Sequence, residues 1–108
     1  MLLFDSDKYE YTVGDIMALD ASLHTPDMLM LMRDEILARH GYVFDTTTDA
    51  GALADAYFRT LNWYVPDSSF DPTAEGALNK FELANYELMN RIIAGEYGDP
   101  LEWEEAVG

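Results

Sequence analysis

The sequence predicts a mainly α-helical, compact single domain of about four helices, with an extended N-terminal segment and ordered loops. Three observations predict it. The chain has 108 residues, enough for one hydrophobic core and too few for two. Nearly half of its residues are hydrophobic, and two tryptophans, seven tyrosines and five phenylalanines supply the bulky side chains of a core, which argues against disorder despite the charge. Apolar residues recur at spacings of three and four behind residues suited to an N-cap, with turn-rich stretches between the runs.

In chain order, residues 4–11 mix Asp5, Ser6, Asp7 and Lys8 with Tyr9 and Tyr11, an extended or turning segment with room for a short β contact. Thr12 followed by Asp15 resembles a capping box, and Val13, Ile16, Met17 and Leu19 give a brief helix near 13–19 an apolar face. Thr25 caps a second start, Pro26 suits the first helical position and Asp27 the positive end of the dipole. This helix is expected to run to His40, with Leu29, Met32, Ile36 and His40 on one stripe, Asp34 away from it, and Gly41 as the left-handed stop.

Tyr42, Val43 and Phe44 form an apolar run, and Asp45 to Asp49 with Gly51 reads as a surface loop. A third helix near 50–60 offers Leu53, Ala54, Tyr57 and Phe58 to the core. Leu61, Trp63 and Tyr64 lead to Pro66 and a loop through Asp67 and Asp71, with a helical turn at 73–77. The best local signature is at Asn79, which can cap while Glu82 reaches back and Leu78 staples onto Leu83. Its stripe of Phe81, Asn85, Leu88 and Ile92, flanked by Ala84, Met89 and Ile93, continues to Gly95. Beyond Gly98 the chain is an acidic tail with Leu101 and Trp103, loose or docked.

Composition removes several functions. Twenty-one acidic residues against six basic ones give a formal charge of −15, which disfavours direct contact with nucleic-acid phosphates and suits a basic surface, or plain solubility. Without cysteine there is no disulfide, thiolate nucleophile or cysteine zinc site. No segment approaches the roughly 20 apolar residues that span a bilayer, so membrane insertion is not expected. A serine elbow, a phosphate-cradling glycine loop and a His-Glu-x-x-His run are absent, and Asp45 to Asp55 lacks the EF-hand ligand pattern. No cofactor or metal is expected.

Among the reactive side chains, Glu35, Arg39 and His40 fall on neighbouring turns, with the spacing of a helical ion pair between Glu35 and Arg39. Structural roles fit them better than catalysis: His40 as a packed ring bonded to nearby backbone, Arg39 as a buried fork tying loop carbonyls together. His24, in a loop, has no histidine near it in sequence. Trp63 and Tyr64, with Tyr42, Phe44, Tyr57 and Phe58, read as core rather than as a platform for sugar or peptide, Tyr64 keeping an exposed edge. The expected structural set is Glu35, Arg39, His40, Gly41, Trp63, Tyr64, Asn79 and Glu82, and the candidates for touching a partner are Tyr64, Trp103 and Asp34.

The run Arg33-Asp34-Glu35-Ile36-Leu37-Ala38-Arg39-His40-Gly41-Tyr42-Val43-Phe44 resembles the signature of the YARHG domain, a small bacterial module named for its sequence motif. Tyr57-Phe58, Trp63-Tyr64, Pro66, Leu78-Asn79, Glu82 and Asn85 follow in that family's order, and Asp5-Ser6, Thr12 and Asp15 resemble its lead-in, so that the similarity covers roughly residues 3–96. The departures are Leu37 in place of the tyrosine, Asp34 where asparagine is common, and a longer loop at 46–50. The resemblance implies a helical domain over residues 1–96, with 97–108 as an acidic tail. It also implies an extracellular accessory module, often joined to membrane kinases or peptidases, and transfers a fold rather than an activity.

Two functional readings follow. One is a non-catalytic binding module of a bacterial surface or envelope protein, recognising a protein, a peptide or a cell-wall component. The other takes the chain as complete and cytoplasmic: a small acidic inhibitor, or antitoxin-like protein, covering the nucleic-acid-binding groove of a basic target. An enzyme built on His40 and Glu35 ranks last.

Overall fold

The computed structural model describes residues 2–103, which form four α-helices: α1 (Val13–Met17), α2 (Pro26–Ala38), α3 (Asp49–Phe58) and α4 (Lys80–Ile93). Single 3-10 turns, Ala21–Leu23 and Pro100–Glu102, stand before α2 and near the end, and the described residues contain no strand. The mainly α, four-helix expectation is met.

Local caps start each helix. Thr12 accepts from the Asp15 amide while Asp15 returns a carboxylate to the Thr12 amide. Asn79 and Glu82 exchange the same pair of bonds at α4. Thr25 accepts from Met28 with Pro26 behind it, and Thr48 accepts from Gly51. Each such cap is worth about 1 kcal/mol. Gly51 therefore lies inside the first turn of α3 rather than in the loop before it. A Cβ there would sit 1.8 Å from the Asp45 carbonyl oxygen, so Gly51→Ala must displace the loop; a loss of about 2 kcal/mol is expected in chemical denaturation.

Helix α2 ends two residues earlier than expected. The Gly41 amide reaches the Ala38 carbonyl, the Tyr42 amide reaches Leu37, and Gly41 takes φ +87°, the Schellman arrangement that closes a helix with a left-handed residue. His40 belongs to that tightened turn, its amide reaching back only to Leu37. The Gly41 carbonyl accepts from the Asp67 amide at 2.7 Å, and a Cβ on Gly41 would come within 2.5 Å of the Val65 carbonyl oxygen. Gly41 thus combines a backbone conformation that side chains resist with an approach that only a bare Cα permits. α4 closes the same way at Gly95, with φ +86°.

The core is split in two by α2, which packs on both α3 and α4. Leu29 and Met32 join Leu3, Ile16, Leu88, Met89, Ile92 and Trp103 on one side. Leu31 and Ala38 join Phe44, Ala54, Phe58 and Tyr64 on the other. Burial on two faces is why Asp34, expected to point away from the apolar stripe, is itself buried. Two apolar cores side by side also explain dimensions of 45 × 28 × 23 Å.

Two further expectations are corrected and one open alternative is resolved. Residues 3–8 coil through successive turns, Lys8 and Tyr9 both donating to the Asp5 carbonyl, instead of running extended. Residues 73–77 make isolated turns and no helix. The chain after Gly98 is docked at least as far as Trp103, whose ring is buried, donates to the Tyr97 carbonyl and meets His24 edge-on at 5.0 Å. The rest of the acidic tail, residues 104–108, lies outside the described residues.

Part of the acidic excess has local work. Asp45, Asp67 and Asp71 each accept from the hydroxyl and the amide of the residue two positions on, Thr47, Ser69 and Thr73. Those bonds hold each carboxyl below its ordinary range. Lowered acids contribute stability that is complete above the unfolded-chain value of about 3.9 and is lost as pH falls through the lowered folded values. The melting temperature, followed by circular dichroism, is therefore expected to drop below about pH 4.

Candidate functional site

The C-terminal turn of α2 meets the first turn of α4, and the meeting sets the geometry. Glu82, third residue of α4, is fixed by its capping box: Oε1 accepts from the Asn79 amide at 3.0 Å. Its other oxygen, Oε2, lies 2.5 Å from His40 Nε2. A carboxylate at a helix N-terminus and a histidine at a helix C-terminus each suit the local dipole, and here they suit each other. Phe70 stacks flat on the His40 ring, centroids 4.9 Å apart. The bond expected between His40 and nearby backbone is thus replaced by a side-chain bond across two helices.

Arg39, on the same turn, reaches toward the N-terminal coil. Its Nη1 donates to Ser6 Oγ at 2.9 Å and to the Phe4 carbonyl at 3.4 Å, and its Nη2 lies 3.5 Å from Asp7 Oδ2. The expected pairing of Glu35 with Arg39 is not made. Glu35 is fully buried and accepts from the Leu2 amide at 2.6 Å and the Leu3 amide at 3.0 Å. The two side chains thus hold successive stretches of one segment, the acid on its amides and the base on its carbonyl and hydroxyl.

Arg39 and His40, with Asp7, Asn79 and Glu82, line an open cleft of about 270 Å³. His40, expected as a packed ring, and Arg39, expected as a buried fork, are instead half-buried at this opening, where two helix ends and a coiled segment meet, although Arg39 does hold a loop carbonyl as expected. The groups in the cleft are already engaged with protein: Glu82 with Asn79 and His40, Arg39 with Ser6, Phe4 and Asp7. One exception stands out, since Asp7 Oδ1 is buried and takes no hydrogen bond among the described residues. Chemically, Glu82 orients a half-buried imidazole, as a carboxylate orients a general base, but no serine, threonine or cysteine side chain lines the cleft. Among the described residues no cluster of three or more histidine or acidic side chains could hold a metal ion.

A second cavity, of about 220 Å³, shares none of these residues. It lies where Arg33, Asp34 and Leu37 of α2 face Tyr42, Phe44, the start of α3 and Tyr86 of α4. Asp34 Oδ1 accepts from Arg33 Nε at 2.9 Å, and Arg33 Nη1 reaches Asn90 Oδ1 at 3.3 Å. Burial raises the Asp34 carboxyl above its ordinary range, with Arg33 opposing. An acid raised by folding costs stability wherever it is ionised, and the cost disappears as pH falls below its folded value. Asp34→Asn, which keeps an oxygen for Arg33, is expected to raise the melting temperature at pH 7 by roughly 2–5 °C, with the gain shrinking as pH falls toward 4 in paired thermal melts.

The three candidates for partner contact, Tyr64, Trp103 and Asp34, are 7%, 4% and 6% exposed; neither aromatic offers a surface, and Asp34 shows only an edge, to the second cavity. Tyr64 spends its hydroxyl on the Tyr42 carbonyl at 2.6 Å and its ring on the core beside Phe58. Trp63 flanks the same ring, as a core role requires. His24, which carried little signal, is buried with Nε2 2.8 Å from the Ile16 carbonyl oxygen. Sequence reasoning also missed Asn85 as a polar anchor: Oδ1 accepts from the Tyr11 amide and Nδ2 donates to the Ser6 and Tyr9 carbonyls. An amide on the apolar stripe of α4 was its available signal.

Compared with known proteins, residues 8–93 match the family model of the YARHG domain. No curated protein and no solved structure matches the chain.

Proposed function

The chain belongs to the YARHG domain family, and from that premise we propose that it is a non-catalytic binding module of a bacterial surface or envelope-associated protein, with the cleft of Asp7, Arg39, His40, Asn79 and Glu82 as its ligand-facing site. One observation carries this reading. The two signature side chains Arg39 and His40 line an open cleft in which the groups fit for chemistry are tied to the fold, while Asp7 keeps an acceptor with no partner. That oxygen calls for an explanation, and since it has no exposed surface of its own, a ligand donating an amide, hydroxyl or ammonium hydrogen would draw the partly exposed Asp7 carboxylate round to meet it. The ligand class is a protein, a peptide or a cell-wall component.

The reading as a charge mimic draws no such support. Asp34, Glu35 and Glu82 are buried, and Asp15, Asp20, Asp45, Asp67, Asp71 and Asp99 accept amides in caps and tight turns. These carboxylates hold their own backbone rather than forming a strip of free charge.

The test uses the full chain, sedimented with purified peptidoglycan sacculi and screened on a peptide array. Saturable binding to either, reduced at least tenfold by Asp7→Asn with the melting temperature little changed, is the expected result. Failure to bind both would overturn the proposal, as would release of soluble product from either material by a turnover that His40→Ala abolishes.

A further inference from the structure

We propose that the second cavity, between α2, α4 and the start of α3, is a receptor for a phenol ring, presented by a tyrosine side chain of a partner. The inference is independent of the cleft at Arg39 and His40.

Size comes first. A volume of about 220 Å³ exceeds the roughly 150 Å³ that admits benzene in an apolar protein cavity. The walls suit an aromatic ring: Leu37 on one side, with the rings of Tyr42, Phe44 and Tyr86 around it. Tyr42 and Phe44 already pack edge to face with centroids 5.0 Å apart, the geometry in which a further ring gains from the quadrupoles of its neighbours.

Charge then selects among rings and ions. The cavity holds the Arg33 guanidinium with the Asp34 carboxylate against it at 2.9 Å, and Asp45 also lines it. An ammonium ligand would be brought against the like charge of the Arg33 guanidinium, which already pairs with Asp34. A carboxylate ligand would meet both aspartates. A neutral ring carrying one hydrogen-bond donor avoids both penalties, because Asp34 Oδ2 takes no hydrogen bond among the described residues and is an acceptor for a phenol hydroxyl. Such a bond to a buried carboxylate is of the stronger, charge-assisted kind.

The motif supplies the last argument. The matching family is described by the letters YARHG, and this chain reads Leu37-Ala38-Arg39-His40-Gly41. The position of the motif tyrosine is therefore held by Leu37, and Leu37 is a wall of the cavity. Where a tyrosine at this position would bring its own ring, the leucine leaves room for one from outside.

The experiment titrates the ¹⁵N-labelled full chain with p-cresol as the tyrosine side-chain probe, following the amide resonances of Thr48 and Gly51, which border the cavity. Saturable shifts at these two amides are expected, with a dissociation constant of about millimolar order for a ligand of this size. Leu37→Tyr, which refills the space from within, should weaken binding at least tenfold, and Asp34→Leu, which removes the acceptor, should weaken it several-fold. Leu37→Phe serves as the blocking variant if Leu37→Tyr does not fold. Absence of saturable shifts in the parent chain overturns the proposal. So does undiminished binding in a folded blocking variant, or saturation of the same amides by n-butylammonium and not by p-cresol, which would make the cavity a cation site.

Discussion

Replacing Glu35 with alanine is expected to lower the stability of the domain by about 3–5 kcal/mol, the cost of breaking a buried charged hydrogen-bonding centre. Glu35 is fully buried on α2, and its two oxygens accept from the amides of Leu2 and Leu3. Alanine leaves both amides without an acceptor and opens a space beside them. The anchor for Leu3, a member of the larger core cluster, goes with them. A domain of this size is stable by only about 5–15 kcal/mol, so the loss removes a large share of the whole. Glu35→Gln should fall between parent and alanine, because it retains one acceptor and turns a second donor toward an amide hydrogen. Urea denaturation of the three proteins tests the order; a loss below 1 kcal/mol in Glu35→Ala would show that this carboxylate does not hold the N-terminal segment.

Asn85 is the second point of large effect. Its amide is matched to three backbone groups of the coil at 6–11, accepting from Tyr11 at 2.8 Å and donating to Ser6 and Tyr9 at 3.0 and 2.8 Å. Asn85→Ala should cost about 3 kcal/mol, and Asn85→Asp at least as much, despite being nearly isosteric. The aspartate keeps the bond from Tyr11 but turns a charged oxygen toward two carbonyl oxygens. Its folded-state pKa is then raised, so its penalty is present at neutral pH and is relieved as pH falls and the carboxyl gains a proton to donate. Thermal melts of parent and Asn85→Asp between pH 4 and pH 8 should converge at the acid end. Parallel curves would mean that the site tolerates the charge.

The parts of the fold that were legible in the sequence are those settled within a few residues. Caps at Thr12, Thr25 and Asn79 and the glycine stops at Gly41 and Gly95 all operate through bonds spanning three to five positions, so the helix starts could be read to within a residue and the ends to within about two. The site was legible by type and not by connection. Glu35, Arg39, His40 and Glu82 were singled out, but the bond from Leu3 to Glu35 spans 32 residues, that from His40 to Glu82 spans 42 and that from Asn85 to Ser6 spans 79. No periodicity encodes such pairings.

Asp34, Tyr64 and Trp103 were misplaced for a related reason. Asp34 was judged on one helix face and Trp103 on a terminal position, whereas α2 is covered on two sides and the last segment folds back; the edge expected of Tyr64 is closed by its bond to the Tyr42 carbonyl, 22 residues away. The apolar residues Leu29, Leu31, Met32, Ile36, Leu37 and Ala38 in fact ring α2, and a helix apolar around its circumference is a buried one. Of the three departures from the motif, Asp34 and Leu37 lie three residues apart on α2, while nothing along the chain ties the loop at 46–50 to them. In space they border a single cavity.

Leu3 and Trp103 share one apolar cluster, so the backbone enters and leaves the domain through the same neighbourhood. Such a layout lets the module be spliced into a host polypeptide as an insert without stretching either junction.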